Sequence, residues 1–263
     1  MPYAPVNGQS LYYEDSGGDK PVLVFSHGLL MDQEMFAPQV EALSDRYRCI
    51  VWDERAHGRT ATDEAPAPFD YYDSADDLAG LLDHLGIDRA ILAGMSQGGF
   101  LSLRCALTHP ERVRALILLD TQAGQENPDN VAGYRQMVEI WASQGLLDEI
   151  ADTIAGIILG AGWSGTATWQ AKWRGWQAHN LAAAFETLTS RDDVTDRLRT
   201  IDYPALVVHG DADMAIPMER ADQLTSGLPH AEQVVIPGGG HAANLTHPEP
   251  VNAAIERFLA RLA

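Results

Sequence analysis

Short β-branched runs alternate with helical segments along most of this chain, and that alternation limits the fold more than any other feature. "PVLVFSHG", "CIVWDERAHG", "AILAGMS", "VRALILLD", "PALVVHG" and "AEQVVIPGGG" read as buried strands. Helical spacing fits Glu34–Leu43, Asp76–Leu85, Gly99–Leu107, Glu219–Gly227 and Pro248–Leu262. Repeated β-then-α units predict a mainly parallel sheet with helices on both faces. Ahead of them, residues 4–15 alternate around Asn7-Gly8, the signature of a tight hairpin.

The alternation stops at about Thr121 and resumes after Thr200. Between them the pattern is helical and rich in glycine. We read residues 121–200 as a helical cap inserted between two strands of a core formed by residues 1–120 and 201–263.

Ser96 sits between two glycines in Gly94-Met95-Ser96-Gln97-Gly98, where a strand ends and a helix begins. In a parallel sheet that junction lies at the carboxyl edge, where ligands bind. So sharp a turn forces the serine backbone into a strained conformation, and bulk two residues to either side would clash. The helix that follows presents its positive end to a developing negative charge. These features make Ser96 the candidate nucleophile.

A serine hydroxyl needs a base to take its proton and a carboxylate to orient that base. Of the nine histidines, His241 follows a strand and three glycines, a loop able to swing an imidazole over the sheet edge. His247 precedes a proline at a helix start and reads as a cap-region residue. His209 ends a buried strand and reads as a core histidine. His57, in "AHGR", is a candidate for the pocket wall. For the acid, "LVVHGDADMAIP" offers Asp211 and Asp213, and loop placement favours Asp213. Asp120, at the end of "LILLD", reads as a strand-end residue and remains a third candidate. Acyl transfer also needs two backbone N–H groups around the developing oxyanion. Gln97, after the nucleophile, and Leu29, in the early "SHGLL" loop, are the candidates.

Taken together, "SHGLL", "WDERAHGRT", "GMSQGG", "HGDADMAIP" and "GGGHAANLTHPE" resemble the α/β-hydrolase superfamily, over roughly two thirds of the chain. Within it the chain resembles the 3-oxoadipate enol-lactonase and small carboxylesterase group. Ala56 departs from the glycine that relatives often carry in "RGHG", which bears on local loop shape. The resemblance implies an eight-stranded sheet, the order Ser96–Asp213–His241, and hydrolysis of a small ester or lactone through an acyl-enzyme. It does not fix the substrate, because this fold hosts many chemistries. A hydroxynitrile lyase or cofactor-free dioxygenase using the same triad is the alternative, and a ligand-binding receptor a more distant one. Haloalkane dehalogenases and epoxide hydrolases carry aspartate where this chain has Ser96.

Five of the six tryptophans fall in the insertion. Trp141, Trp163 and Trp173 are the candidates for the substrate pocket, the others for the cap's own packing. Lys172 and Arg174 could meet a substrate carboxylate, although such charges more often face water. The net charge of −19, from 18 basic and 37 acidic residues, argues against nucleic acid and anionic membranes as partners. No stretch of 18 apolar residues predicts a membrane span, and the N-terminus does not read as a secretory signal. Cys49 and Cys105 lie in apolar segments and read as reduced, buried thiols of a cytoplasmic protein. "DADMAIPMERAD" lacks the sixth-position glycine and the final glutamate of a calcium loop. No HExxH, CxxC or P-loop pattern occurs, so neither a metal nor a cofactor is expected.

Overall fold

A computed structural model describes residues 2–262. Asn7 and Gly8 adopt positive φ angles of 47° and 77° and fold β1 (Tyr3–Val6) back onto β2 (Gln9–Asp15). Six further strands follow: β3 (Val22–Ser26), β4 (Arg48–Trp52), β5 (Ala90–Met95), β6 (Val113–Leu119), β7 (Ala205–Gly210) and β8 (Ala231–Ile236). They form one eight-stranded sheet in the order β1-β2-β4-β3-β5-β6-β7-β8. β1 and β2 are antiparallel to their neighbours, and β3 to β8 run parallel.

The central strands are buried because both faces are covered. Every residue of β5 and β7 is buried, and in β6 only Arg114 reaches solvent. Each fully buried Val, Leu or Ile contributes about 1.5–3 kcal/mol of hydrophobic stabilisation before chain entropy is set against it. The chain starts the parallel sheet at β3, adds β4 on one side and returns to add β5 on the other. The order therefore reverses between β3 and β5. The connections leaving their carboxyl ends run toward opposite edges of the sheet, the place where this kind of fold leaves a crevice.

Among the described residues, ten α-helices surround the sheet. α2 (Tyr71–His84) packs on α3 (Gln97–Thr108), while α1 (Ala37–Leu43), α9 (Ala243–Thr246) and α10 (Pro248–Leu259) pack together. α8 (Met218–Gly227) covers β7 and β8. Between β6 and β7 lie α4 (Pro128–Gln144), α5 (Asp148–Ile158), α6 (Thr166–Arg174) and α7 (Ala178–Ser190), followed by a 3-10 segment, Thr195–Thr200.

Two helix starts differ most from the sequence expectation. The segment expected as one helix from Glu34 is a 3-10 turn, Gln33–Phe36, followed by α1. Pro38 lacks the N–H that a continuous helix would need at that point. α2 begins five residues before Asp76, because the Asp70 carboxylate accepts from the Tyr72 and Asp73 N–H groups and Asp73 reciprocates. This capping box satisfies donors that would otherwise be orphaned. No helix among the described residues is long and apolar enough to cross a membrane.

Candidate active site

The elbow at Ser96 is shaped by close backbone approach. Ser96 has φ 51° and ψ −115°, a conformation that costs a non-glycine residue about 1–3 kcal/mol. The flanking glycines relieve contact rather than supply unusual φ angles. A Cβ on Gly94 would stand 2.1 Å from the Gly98 carbonyl oxygen, and one on Gly98 would stand 1.9 Å from that of Ser26. The Ser96 N–H donates to the Leu119 carbonyl (3.0 Å), and Thr121 Oγ1 donates to the Ser96 carbonyl (2.7 Å). The turn is thus pinned by the end of β6 and by the segment just after it. The hydroxyl stands at the β3–β5 crevice, at the start of α3.

His241 and Asp213 come from the loops after β8 and β7, which are laced together. The Ala212 N–H donates to the Gly239 carbonyl (2.9 Å), and the Asp211 carboxylate accepts from the Gly238 N–H (2.7 Å). Gly238 has φ 72°, and a Cβ on Gly210 would meet the Gly239 carbonyl at 2.1 Å. With the loops fixed, Asp213 Oδ2 lies 2.9 Å from His241 Nδ1, and His241 Nε2 lies 3.0 Å from Ser96 Oγ. Ionised Asp213 accepts only, so Nδ1 carries the proton and Nε2 is left to accept from the serine hydroxyl.

Asp213 Oδ1 also accepts from the N–H groups of Ala215 (2.7 Å) and Ile216 (3.0 Å). Burial pushes the Asp213 carboxyl up, but His241, the Ile216 N–H and His209 outweigh it, and the net is a pKa below the ordinary aspartate value. Asp211 is the tie between the two loops and does not reach the imidazole. Asp120 accepts from the Gly210 N–H (2.8 Å) at the end of β7, and burial and then Asp213 push its carboxyl well up.

His209 is buried with Nε2 on the Ile216 carbonyl (2.8 Å), while its Nδ1 has no hydrogen-bond partner among the described residues. Asp120, His209 and Asp213 offer ligand-type atoms within 4.8 Å of one another. Asp213 is already taken up by His241 and two backbone donors, so a cation there would compete with the base for its carboxylate.

The loop after β3 approaches Ser96 from the opposite side. A Cβ on Gly28 would meet Met95 Sδ at 2.6 Å, so a larger residue there would have to push the Met95 side chain aside. His27 Nδ1 lies 2.9 Å from the Gly28 carbonyl, and its Nε2 accepts from the Glu54 N–H (3.0 Å). Leu29 lines the cavity above Ser96, and Gln97 follows the serine. Neither backbone N–H meets an acceptor among the described residues.

A buried polar cluster behind the elbow escaped the sequence reading. The Gln97 carboxamide donates to Glu54 Oε2 (3.2 Å) and to His57 Nε2 (3.3 Å), and Tyr71 OH donates to its oxygen at 3.4 Å. Burial pushes the Glu54 carboxyl well above the ordinary glutamate range and drives His57 down to about 3 and His27 to about 4. His57 is therefore not a pocket wall: its ring packs edge-on against Trp176 and tilted against His27. Two adjacent acids after a buried strand, Asp53-Glu54, were the only signal in the chain.

The cavity over Ser96 and His241 has a volume of about 120 Å³. Met31, Phe100, Met137, Ile154, Phe185 and Leu188 make most of its wall apolar. None of the three tryptophans expected there lines it. Trp141 is buried in α4, and Trp163 borders a separate surface groove. Trp173 is fully buried and donates its Nε1–H to the Leu30 carbonyl (2.8 Å), fastening α6 to the loop that carries Leu29. Helical spacing puts Trp173 on one face with Trp169 and Trp176 but cannot say which neighbour that face meets. Lys172 bonds Asp32 (2.6 Å) and Glu34 (2.7 Å), and Arg174 bonds Asp148 (2.6 Å), so both cations are engaged by the protein itself.

A family model described as "alpha/beta hydrolase fold" matches residues 21–155 and 165–248. An esterase from Thermogutta terrifontis superposes with a TM-score of 0.87 at 30% identity, covering 100% of this chain and 97% of its own. The enol-lactonase from Burkholderia xenovorans LB400 superposes with a TM-score of 0.89 at 28% identity, covering 98% of this chain and 100% of its own. A protein from Caulobacter sp. strain K31, provisionally named a carbamate hydrolase, is 29% identical over 272 residues and 95% of each chain.

Proposed function

The chain belongs to the alpha/beta hydrolase fold family, and from that premise we propose that it hydrolyses carboxylic esters or lactones through an acyl-enzyme. The observation that carries this reading is the unbroken relay from Asp213 Oδ2 to His241 Nδ1 (2.9 Å) and from His241 Nε2 to Ser96 Oγ (3.0 Å). The esterase and enol-lactonase among the similar structures support the same chemistry.

In this mechanism Ser96 Oγ attacks the carbonyl carbon while His241 Nε2 takes the hydroxyl proton. The carbonyl oxygen becomes an oxyanion, which the N–H groups of Leu29 and Gln97 bind. Each such donor is worth about 3 kcal/mol of transition-state stabilisation. His241 then gives its proton to the departing alkoxide, leaving the acyl group on Ser96. Water attacks that ester, His241 takes the water's proton and returns it to Ser96, and the acid leaves. Asp213 stays ionised throughout, holding the imidazole in its working tautomer and balancing its charge. The buried thiols of Cys49 and Cys105, both free, support a reducing compartment such as the cytoplasm.

The test is turnover of p-nitrophenyl esters by the Ser96→Ala variant. We expect a loss of several orders of magnitude with the fold intact; turnover retained in pure variant removes Ser96 from the chemistry.

A further inference from the structure

The cavity that receives the substrate is apolar except at a few places, and those places select what enters. Gln122 lines it together with Ser96 and His241. It is 7% exposed, and its Oε1 is buried with no hydrogen-bond partner. Its position is set by the elbow: the preceding residue, Thr121, bonds the Ser96 carbonyl (2.7 Å). A buried acceptor with nothing to accept is unfavourable, and a turn of the carboxamide that brings it to the cavity lets a ligand complete it. A carboxamide offers both a donor and an acceptor, so a hydroxyl or an amide satisfies it whichever way it is turned.

The charge pattern excludes another class. The charged group on the cavity wall is the Glu126 carboxylate, and no lysine or arginine lines the cavity. Arg191 Nη1 bonds Glu126 Oε2 (3.0 Å) from behind the wall. Arg191 also donates to the carbonyls of Gly124 and Leu188 and stacks on the Phe100 ring at 4.4 Å. Its Nη2 is buried without a partner among the described residues, but Arg191 is not among the residues that line the cavity. A substrate carboxylate would lose its water and meet a like charge with no cation on the cavity wall to pair it.

On the footing of the hydrolase reading, we infer that the preferred substrate carries an uncharged hydroxyl or amide on the arm that enters this cavity, bound by Gln122, and carries no carboxylate there. Gln122 is thus a specificity-determining residue. It binds the arm and takes no part in the proton relay.

Three p-nitrophenyl esters of one chain length test this: hexanoate, 6-hydroxyhexanoate and the adipate monoester, with four- and eight-carbon sets run in parallel. At the length turned over best, kcat/KM for the hydroxyl-bearing ester should exceed that of the plain ester at least tenfold. The carboxylate-bearing ester should fall at least tenfold below both. Gln122→Leu, close in volume, should bring the hydroxyl-to-plain ratio to about one. A plain ester equal to or better than its hydroxyl partner, or a carboxylate ester as the best of the three, overturns the inference while leaving the hydrolase reading standing.

Calorimetric binding of 1,6-hexanediol against 1-hexanol reads the same preference without turnover or any variant. Tighter binding of the diol, against the trend of hydrophobicity, is expected; tighter binding of hexanol overturns the inference. Failure of every ester to be cleaved would instead count against the hydrolase reading alone.

Discussion

A methyl group built on Gly98 would stand 1.9 Å from the carbonyl oxygen of Ser26, nearer than any real Cβ comes to a backbone atom. The elbow therefore presses directly on the end of β3, and Gly98→Ala must push two backbone segments apart. We expect a loss of about 1–3 kcal/mol in denaturant unfolding, with activity lost alongside it. Gly133, in α4, has nothing within 4 Å of a built Cβ, so Gly133→Ala should stabilise by about 0.5–1 kcal/mol through helix propensity. Equal effects at the two positions would contradict the steric account of the elbow.

Three carboxylates were candidates for the acid, and their partners separate them. Asp213→Asn keeps the shape but disturbs the tautomer of His241, and kcat should drop by about 10⁴. Asp211→Asn retains an oxygen to accept from the Gly238 N–H and should stay within a few-fold of the parent. A large loss in Asp211→Asn beside a small one in Asp213→Asn would reverse the assignment.

How much of this was legible beforehand follows from which forces act locally. The runs that became β3, β5, β6 and β7 read as strands because a strand covered on both faces needs an unbroken apolar sequence. The elbow read well too, since its glycines answer to contacts within a few residues and one neighbouring strand. Asp211 and Asp213 were separable only by resemblance and loop placement, because which of them meets His241 depends on how two distant loops are laced. Trp173 was misread for a related reason. Its helical face was visible, but the Leu30 carbonyl it meets lies far off in the chain. Gln122 and the Gln97–Glu54–His57 cluster gave almost no signal, as buried polar partners carry no periodicity.

That cluster has a consequence in acid. His57 and His27 stay neutral in the fold down to about pH 3 and 4, whereas in the unfolded chain they take up a proton near 6.5. The unfolded state thus binds more protons as pH falls through this window, and stability declines. Asp53 opposes the decline. Its pKa is pushed by burial to about 6, so the native state binds a proton there before the unfolded one does. The difference between proteins isolates the histidine. Between pH 7 and pH 5, His57→Gln should lose about 1–2 kcal/mol less than the parent. An identical pH dependence in both would show that His57 is not held neutral.

The claim on which the rest depends is that Ser96 is made nucleophilic by His241, and covalent trapping tests it most directly. Ser96 Oγ should bond to the phosphorus of a fluorophosphonate as His241 takes the hydroxyl proton, and fluoride should leave to solvent. Intact mass should then rise by one adduct per chain, with peptide mapping placing it on Ser96. Ser96→Ala should gain none, and His241→Ala should label slower by orders of magnitude. A label on any other residue, or a His241→Ala variant that labels as fast as the parent, would contradict the account.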